Sequence, residues 1–410
     1  MLSKQDIQVL RELALQYAHL AALPRQEERR RMWRRLNGLQ MERPMVLIDQ
    51  IPWNEMDVDG SLRCSIQHPY WRDVEWNLRT TLYKAKYFPV DLVLNPYISL
   101  LRPIEDSGWG IVKQMSGHIV KRPGDTASSY EYVNQIQSME DLEKLHFPKI
   151  TLDREKEAAI IAQAHEIFDG IIDFKMLGQK MKLGLWDAIS TWMGVENCYF
   201  AMMDEPELIH ALMEKLTQGM IAKIQQMNEL EIFDITSNLC HCSQTFREDM
   251  PLEGDRALSG NAWGYGLAQL FTAVSPQLEE EFEVEYMKRI FPYFGAVYYG
   301  CCERLDDRMH IVRKLPKVRK LSCSPWSNRD RFAEEMPAWC AMSNKPNPAF
   351  LAGGTLDEEL VRKDIRSTLS AARKNGRSVE LILKDISTVA NRPQCLVRWA
   401  EIAMEEVENW

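Results

Sequence analysis

Apolar residues recur at three- and four-residue spacing through residues 1–40, which predicts helix across that stretch. "RPMVLID" (43–49) then reads as a buried strand closed by "QIPWNE". An apolar stripe predicts a helix over 71–87, and "DLVLNPYI" (91–98) a second strand. Residues 99–135 read as short strands and loops, punctuated by "DSGWG" and "KRPGD". "SMEDLEKL" begins with Ser and carries an acid three residues on, the pattern of a capping box, and "TLDREKEAAIIAQAHEIF", which begins with Thr and has acids in its first turn, also reads as a helix start.

The second half is more regular. "IIDFKM" (171–176), "LEIFDITSN" (230–238), "GAVYYG" (295–300), "VRKLSCS" (318–324), "AWCAMS" (338–343) and "SVELILKD" (378–385) predict strands. Helices are predicted over 204–227 and 275–294, and in "RDRFAEEM", "DEELVRKDIRSTLSAARKNG" and "CLVRWAEIAMEEVE". Strands alternating with helices argue for a parallel sheet with crossover helices. Roughly eight such units predict an α/β fold, a (β/α)8 TIM barrel. The barrel spans 43–410 and a helical extension 1–42; a doubly wound open sheet is the alternative. Length alone suggests two or three domains, but barrels of this size often form one.

Hydrophobic residues make up 45% of the 410, enough for a large core. A net charge of −9 with no basic block argues against nucleic acid and points to a neutral or cationic small molecule or a protein partner. "RQEERRRMWRR" (25–35) mixes acids with bases and reads as a solvated helix face. No run reaches the ~18 apolar residues of a membrane span, and the amphipathic start lacks a signal peptide's apolar core. A cytoplasmic protein is expected. There, nine scattered cysteines stay reduced and serve as ligands, nucleophiles or core residues.

In a barrel, chemistry gathers at the C-terminal strand ends. That rule assembles Asp49, Asn95, Asp234, Asn238, Tyr299 to Glu303, Cys323, Ser343 to Lys345, Lys384 and Asp385. Cys301 and Cys302 are adjacent, and Glu303 follows them. A free cysteine is ordinarily a small buried hydrophobe. Two at a strand end, before an acid, are also candidate zinc ligands or nucleophiles. Cys240, His241 and Cys242 form a weaker candidate ligand set, since no zinc spacing rule is met. Lys345 reads as a cation for a substrate oxygen or as an exposed loop lysine. Lys384 and Asp385 end a buried strand, where charges pair or work. "GNAWGYG" (260–266) matches no phosphate loop and reads as a lid or substrate loop. Its Trp263 and Tyr265 could stack on a flat ligand or pack the core. His68, His118 and His310 have no flanking pattern that marks a ligand.

The run from "SPQLEEEFEVEYMKRIFPYFGAVYYGCCERLDD" to "RFAEEM" resembles the uroporphyrinogen decarboxylase superfamily. There, a helix near "SP" leads to a strand ending in a His-x-Cys-Gly-like turn. "SNKPNPAFLAGGTLDEELVRKDIRSTL" resembles that superfamily's "GN-x-[DP]-P…L…GT-x-E-x-V" segment, and "RPMVLIDQIPW" its first barrel strand. The resemblance covers most of 43–405 and implies a (β/α)8 barrel. Porphyrinogen decarboxylases carry an arginine-bearing "MRQAGR"-like loop after the first strand. Here "IDQIPWNEMD" is acidic, so Asp49 stands where that clamp would be. The corrinoid-linked methyltransferase branch holds zinc with His-x-Cys and a later Cys. Here Tyr299-Gly300-Cys301 takes the His-x-Cys place, Cys302 the Gly place, and Lys384-Asp385 the later Cys.

The resemblance therefore implies methyl transfer between a small molecule and a corrinoid protein. Cys301 and Cys302 would bind zinc or handle the methyl group. Glu303 and Asp385 would serve as ligand or acid/base, Lys345 and Lys384 would orient substrate oxygens, and Asp49, Trp263, Tyr265 and Tyr299 would line the substrate. No Asp-x-His-x-x-Gly motif is present, so cobalamin would come on the partner. A homodimer is compatible with this picture. The alternative is a metal-free decarboxylase or lyase acting on another acid, and a third reading is a barrel that binds a ligand or partner without catalysis.

Overall fold

A computed structural model describes residues 2–118, 130–250, 252 and 254–410. The "KRPGD" turn and the side chain of His118 lie outside the described residues. Seven parallel strands form one sheet. Their order is Met45–Ile48, Val379–Leu383, Ala341–Asn344, Val318–Cys323, Ala296–Tyr299, Trp263–Gly266 and Met181–Lys182. Tyr97–Leu101 pairs in parallel with Asp173–Leu177, just upstream of Met181. The fold is mixed α/β and TIM-barrel-like. No strand ladder joins Met45–Ile48 to Tyr97–Leu101 among the described residues. Asp91 makes that seam: its N–H donates to Val46 O at 2.9 Å, and its carboxylate accepts the Val46 N–H and the Arg43 guanidinium.

Strand side chains alternate between two faces. One face, with Val46, Ile48, Val297, Tyr299, Leu321, Met342, Leu381 and Leu383, belongs to the large core packed against the helices. Gly264 and Gly266 belong to this face too, where Phe294 and Phe291 take the space a Cβ would need. The opposite face is occupied by a hairpin. Leu239–Cys240 and Ser243–Gln244 pair antiparallel, and Cys242 and Phe246 pack on Met45, Leu47, Ala341 and Ile382. Cys240 packs on Trp263, Ala296 and Tyr298. The Asn37 amide, at the end of helix Pro24–Asn37, donates to the Gln244 and Phe246 carbonyls and fixes the hairpin's base.

Several expectations shift. The N-terminal helix is two, Lys4–Ala21 and Pro24–Asn37, broken at Pro24. The first packs on Trp71, Leu78, Ile98 and Phe168. "DLVLNPYI" becomes a strand only from Tyr97, after Pro96, which has no N–H to donate. "LEIFDITSN" contributes a single parallel bridge, Phe233 to Gln179. The Asp234 carboxylate accepts the Thr236 and Ser237 N–H groups and turns the chain there. "GNAWGYG" is no lid: Trp263–Gly266 is a strand within the sheet. The Ser138 capping box is present, whereas helix Arg154–Phe168 is capped by Asp153 rather than Thr151. No helix among the described residues is long and apolar enough to cross a membrane.

Candidate functional site

Gly300 ends the Ala296–Tyr299 strand. Its φ is 96°, and a Cβ there would lie 2.9 Å from Leu305 Cδ1. The turn brings both following thiols to one place, with Sγ atoms 3.6 Å apart. Glu303 locks the turn from below. One carboxylate oxygen accepts the Cys301 N–H at 2.7 Å and the other the Ala268 N–H at 3.0 Å. Ser322 Oγ donates to Cys301 O at 2.7 Å. Both Glu303 oxygens thus accept from backbone N–H groups. Burial pushes its carboxyl up to about 7.

Lys384 follows the Val379–Leu383 strand and is only 2% exposed. Its ammonium lies 3.5 Å from Cys301 Sγ and 3.6 Å from Cys302 Sγ, and it pairs with Asp385. Burial would lower Lys384; the Cys301 sulfur and the Asp385 carboxylate hold its pKa above the ordinary value instead. Asp385 has a φ of 56°, and its N–H donates to Gln50 Oε1. The Cys302 thiol has two acceptors in reach: Asp385 Oδ2 at 3.4 Å and the Cys301 sulfur.

The hairpin tip supplies the remaining group. His241, at φ 51°, stacks on Tyr265 with ring centroids 4.3 Å apart, and its Nε2 lies 3.8 Å from Cys301 Sγ. Burial lowers the imidazole, but hydrogen bonds with Cys242 and Cys301 outweigh it, and the pKa is raised. The hydrogen bond from Cys302 pulls Cys301 down against burial, helped by His241 and Lys384, while Cys302 moves up. Cys301 is therefore a thiolate clamped by an ammonium and an imidazole, the state in which sulfur is nucleophilic.

Below the site runs a second polar network. Glu380 accepts from Lys320 Nζ at 2.6 Å, Ser243 Oγ at 2.9 Å and Ser343 Oγ at 2.5 Å. Lys345 Nζ and Tyr298 Oη donate to Ser343 Oγ at 2.6 and 2.9 Å. Lys320 also holds the hairpin through Ser243 and Gln244 O.

The structure thus brings together Cys301, Cys302, His241, Lys384 and Asp385, with Glu303 as their support. Tyr299 is not with them. It is fully buried on the helix face, and its hydroxyl donates to Glu279 Oε1 at 3.3 Å. The neighbouring Tyr298 faces the hairpin instead. Lys345 is buried in the lower network, away from the thiols, with its ammonium on Ser343 Oγ and over the Tyr298 ring. Cys240 donates to Gly264 O, and burial pushes its thiol up to about 12, so it is packed away from the pair. Cys242 is buried on the far side of His241, where, against burial, the Lys345 charge and His241 lower its pKa. Asp49 lies 3.6 Å from the Lys84 ammonium. Sequence reasoning missed Lys320, Glu380 and Tyr298; the lone charges inside "VRKLSC" and "VELIL" were the available signal.

Zinc does not fit this arrangement. Among the described residues, no three His, Cys, Asp or Glu side chains are grouped to hold a metal ion. The cation at both thiols is the Lys384 ammonium, which would repel a second cation at the same sulfurs.

His241 lines two cavities. One, of about 790 Å3, also touches Trp263, Tyr265, Lys180 and Asp234. The other, of about 350 Å3, touches Asp49, Lys84 and Asn95. His241 thus borders both cavities and the Cys301 sulfur, with Tyr265 stacked beside it.

No protein-family model and no curated protein matches the chain. Among solved structures it is similar to a methyltransferase from Methanosarcina mazei. The identity is 12% and the TM-score 0.48, over 90% of this chain and 97% of that one. A likeness at that level speaks to neither chemistry nor substrate.

Proposed function

We propose that this chain is a methyltransferase in which the Cys301 thiolate takes a methyl group from a small-molecule donor. The single observation behind this reading is the thiolate held by Lys384 at 3.5 Å and His241 at 3.8 Å where two parallel strands end. A permanent ammonium lowers the thiol pKa as zinc would elsewhere, so the nucleophile forms without a metal. In the first half-reaction the S–CH3 bond forms as the donor's CH3–X bond breaks. The electron pair stays on X, which takes a proton from His241. Transfer from the thioether to a second nucleophile regenerates the thiolate. A corrinoid protein is the partner assigned to that second step, following the likeness of "YYGCCE" to the corrinoid-linked branch. Lys384, His241 and Cys302 favour the ionised sulfur, and Glu303 with Ser322 fixes its position.

The test is isotope transfer. The protein is incubated with deuteromethyl-labelled methoxyarenes and methylamines, digested, and the Cys301 peptide weighed. One methyl per chain on Cys301, and methylcobalamin formation when cob(I)alamin is added, is the expected result. No label with any donor, together with no spectral change, overturns the proposal. Carbon dioxide release from an added acid would favour the decarboxylase instead.

A further inference from the structure

We infer that Cys301 and Cys302 form a reversible oxidation site for a small hydroperoxide, which converts the pair to a disulfide between neighbouring residues. This adds regulation to the site above. Only its consequence, loss of the nucleophile, rests on that reading; the oxidation itself needs no methyl donor.

Geometry sets this pair apart from the other thiols. The two Sγ atoms lie 3.6 Å apart, so bond formation needs a closing movement of about 1.6 Å. Cys302 is partly exposed and gives a small oxidant a way in, whereas Cys198, Cys240, Cys242, Cys323, Cys340 and Cys395 are buried. The Lys384 ammonium lies within 3.6 Å of both sulfurs, and His241 Nε2 lies 3.8 Å from Cys301 Sγ. Cations beside a sulfur favour its thiolate, the form that attacks a peroxide oxygen. Elsewhere burial pushes Cys198, Cys240, Cys323 and Cys340 up to about 12, which leaves them as inert thiols. Cys64 is also partly exposed, but burial and the Glu75 charge raise its thiol.

The surrounding groups supply each proton. The Cys301 sulfur attacks one peroxide oxygen, and the S–O bond forms as the O–O bond breaks. The departing oxygen keeps the electron pair and takes a proton from His241. Cys302 Sγ then attacks the Cys301 sulfur, and the S–S bond forms as the S–O bond breaks. The Cys302 proton passes to Asp385 Oδ2, 3.4 Å away, and from there to the departing hydroxide, which leaves as water. Two electrons go from the sulfur pair to the peroxide. Hydrogen peroxide yields two waters, and an alkyl hydroperoxide yields one water and one alcohol. Neighbouring Cα atoms are closer than those of most disulfides, and strained disulfides are the readily reduced ones. A dithiol therefore returns the pair. Without Cys302 the sulfenic acid on Cys301 has no adjacent thiol to close on and goes forward to the irreversible sulfinic acid. Cys302 thus shields the nucleophile from permanent loss.

The experiment is oxidation of the whole chain by hydrogen peroxide with no methyl donor present. Digestion without reductant and peptide mass spectrometry follow. The Cys301–Cys302 peptide should lose two hydrogens, iodoacetamide labelling of Cys301 should be lost, and dithiothreitol should restore both. The Cys198 and Cys340 peptides should stay unoxidised. Cys302→Ser should form no disulfide. Its Cys301 should instead carry a sulfenic acid that dimedone traps, and longer exposure should end in a sulfinic acid that dithiothreitol does not reverse. Circular dichroism melts check that the variant folds, and the wild-type peptide decides the case if it does not. Wild-type Cys301 going straight to sulfinic acid overturns the inference. So does a disulfide from Cys301 to Cys242 or between two chains, or a Cys301 that stays reduced where free cysteine is oxidised. A reversible disulfide in a chain that takes no methyl label keeps this inference and removes the methyltransferase reading. Methyl label on Cys301 with no disulfide under peroxide does the reverse.

Discussion

Two lysines on the hairpin side of the sheet meet opposite fates. Lys320 is fully buried and has a carboxylate, a hydroxyl and a carbonyl within 2.9 Å. Lys384, at a strand end, has two sulfurs at 3.5–3.6 Å and a half-exposed Asp385. The first network is complete: every member has a close partner, and it holds a hairpin in place. The second is loose, because thiols are weak acceptors, and its charge is available for chemistry. The difference teaches that a buried charge signals function through what it leaves unsatisfied, not through burial itself.

The largest test breaks the complete network. Glu380→Ala strands Lys320 in the interior and should cost about 3–5 kcal/mol, read from urea unfolding. Lys320→Met with Glu380→Leu should recover most of it. If the single variant costs nothing, the two lysines do not differ as described.

Next comes the loose cluster. Wild-type Cys301 alkylation, followed by peptide mass spectrometry, should stay nearly flat between about pH 5 and 8, because the thiolate is already formed. Lys384→Met removes one charge that lowers the Cys301 pKa, so the acid limb of the profile, where alkylation falls off, should move to higher pH than in the wild type. An unmoved acid limb would show that Lys384 does not hold the thiolate.

Linkage gives a smaller test. Glu303 is raised from 4.5 to about 7, so folding retains its proton between those values. Its contribution is full below the unfolded pKa and is lost as pH rises through about 7. Glu303→Gln has no such loss. The stability of Glu303→Gln relative to wild type should therefore rise as pH goes from about 4.5 to 7, read as a difference in denaturation midpoints. A constant difference would mean the carboxyl titrates normally.

Least of all, Tyr299→Phe should cost about 1 kcal/mol for its hydrogen bond to Glu279 and leave Cys301 reactivity unchanged.

The strands were legible where apolar runs were continuous, as in "GAVYYG" and "SVELILKD", and the thiols, Lys384 and Asp385 were legible as chemistry at strand ends. What escaped has physical causes. "WGYG" alternates aromatic and glycine with period two, a strand whose glycine face is packed by Phe294 and Phe291, yet glycine content suggested a loop. Strict alternation would put Tyr299 and Cys301 on one face, but Gly300 at φ 96° ends the strand between them. No periodicity in "LCHCSQ" reveals that a hairpin fills the sheet's inner side.

That hairpin also sets a clock for assembly. Its contacts reach from Asn37 to Phe246, from Ser243 to Lys320 and from His241 to Cys301. Its own pairing is only two residues per arm, so it has little reason to form alone. Strands from both ends of the chain must therefore gather around a segment that is itself ordered only by their arrival, the kind of long-range closure that slows folding. Reactivity at Cys301 should therefore return more slowly than helix content when the unfolded chain is refolded.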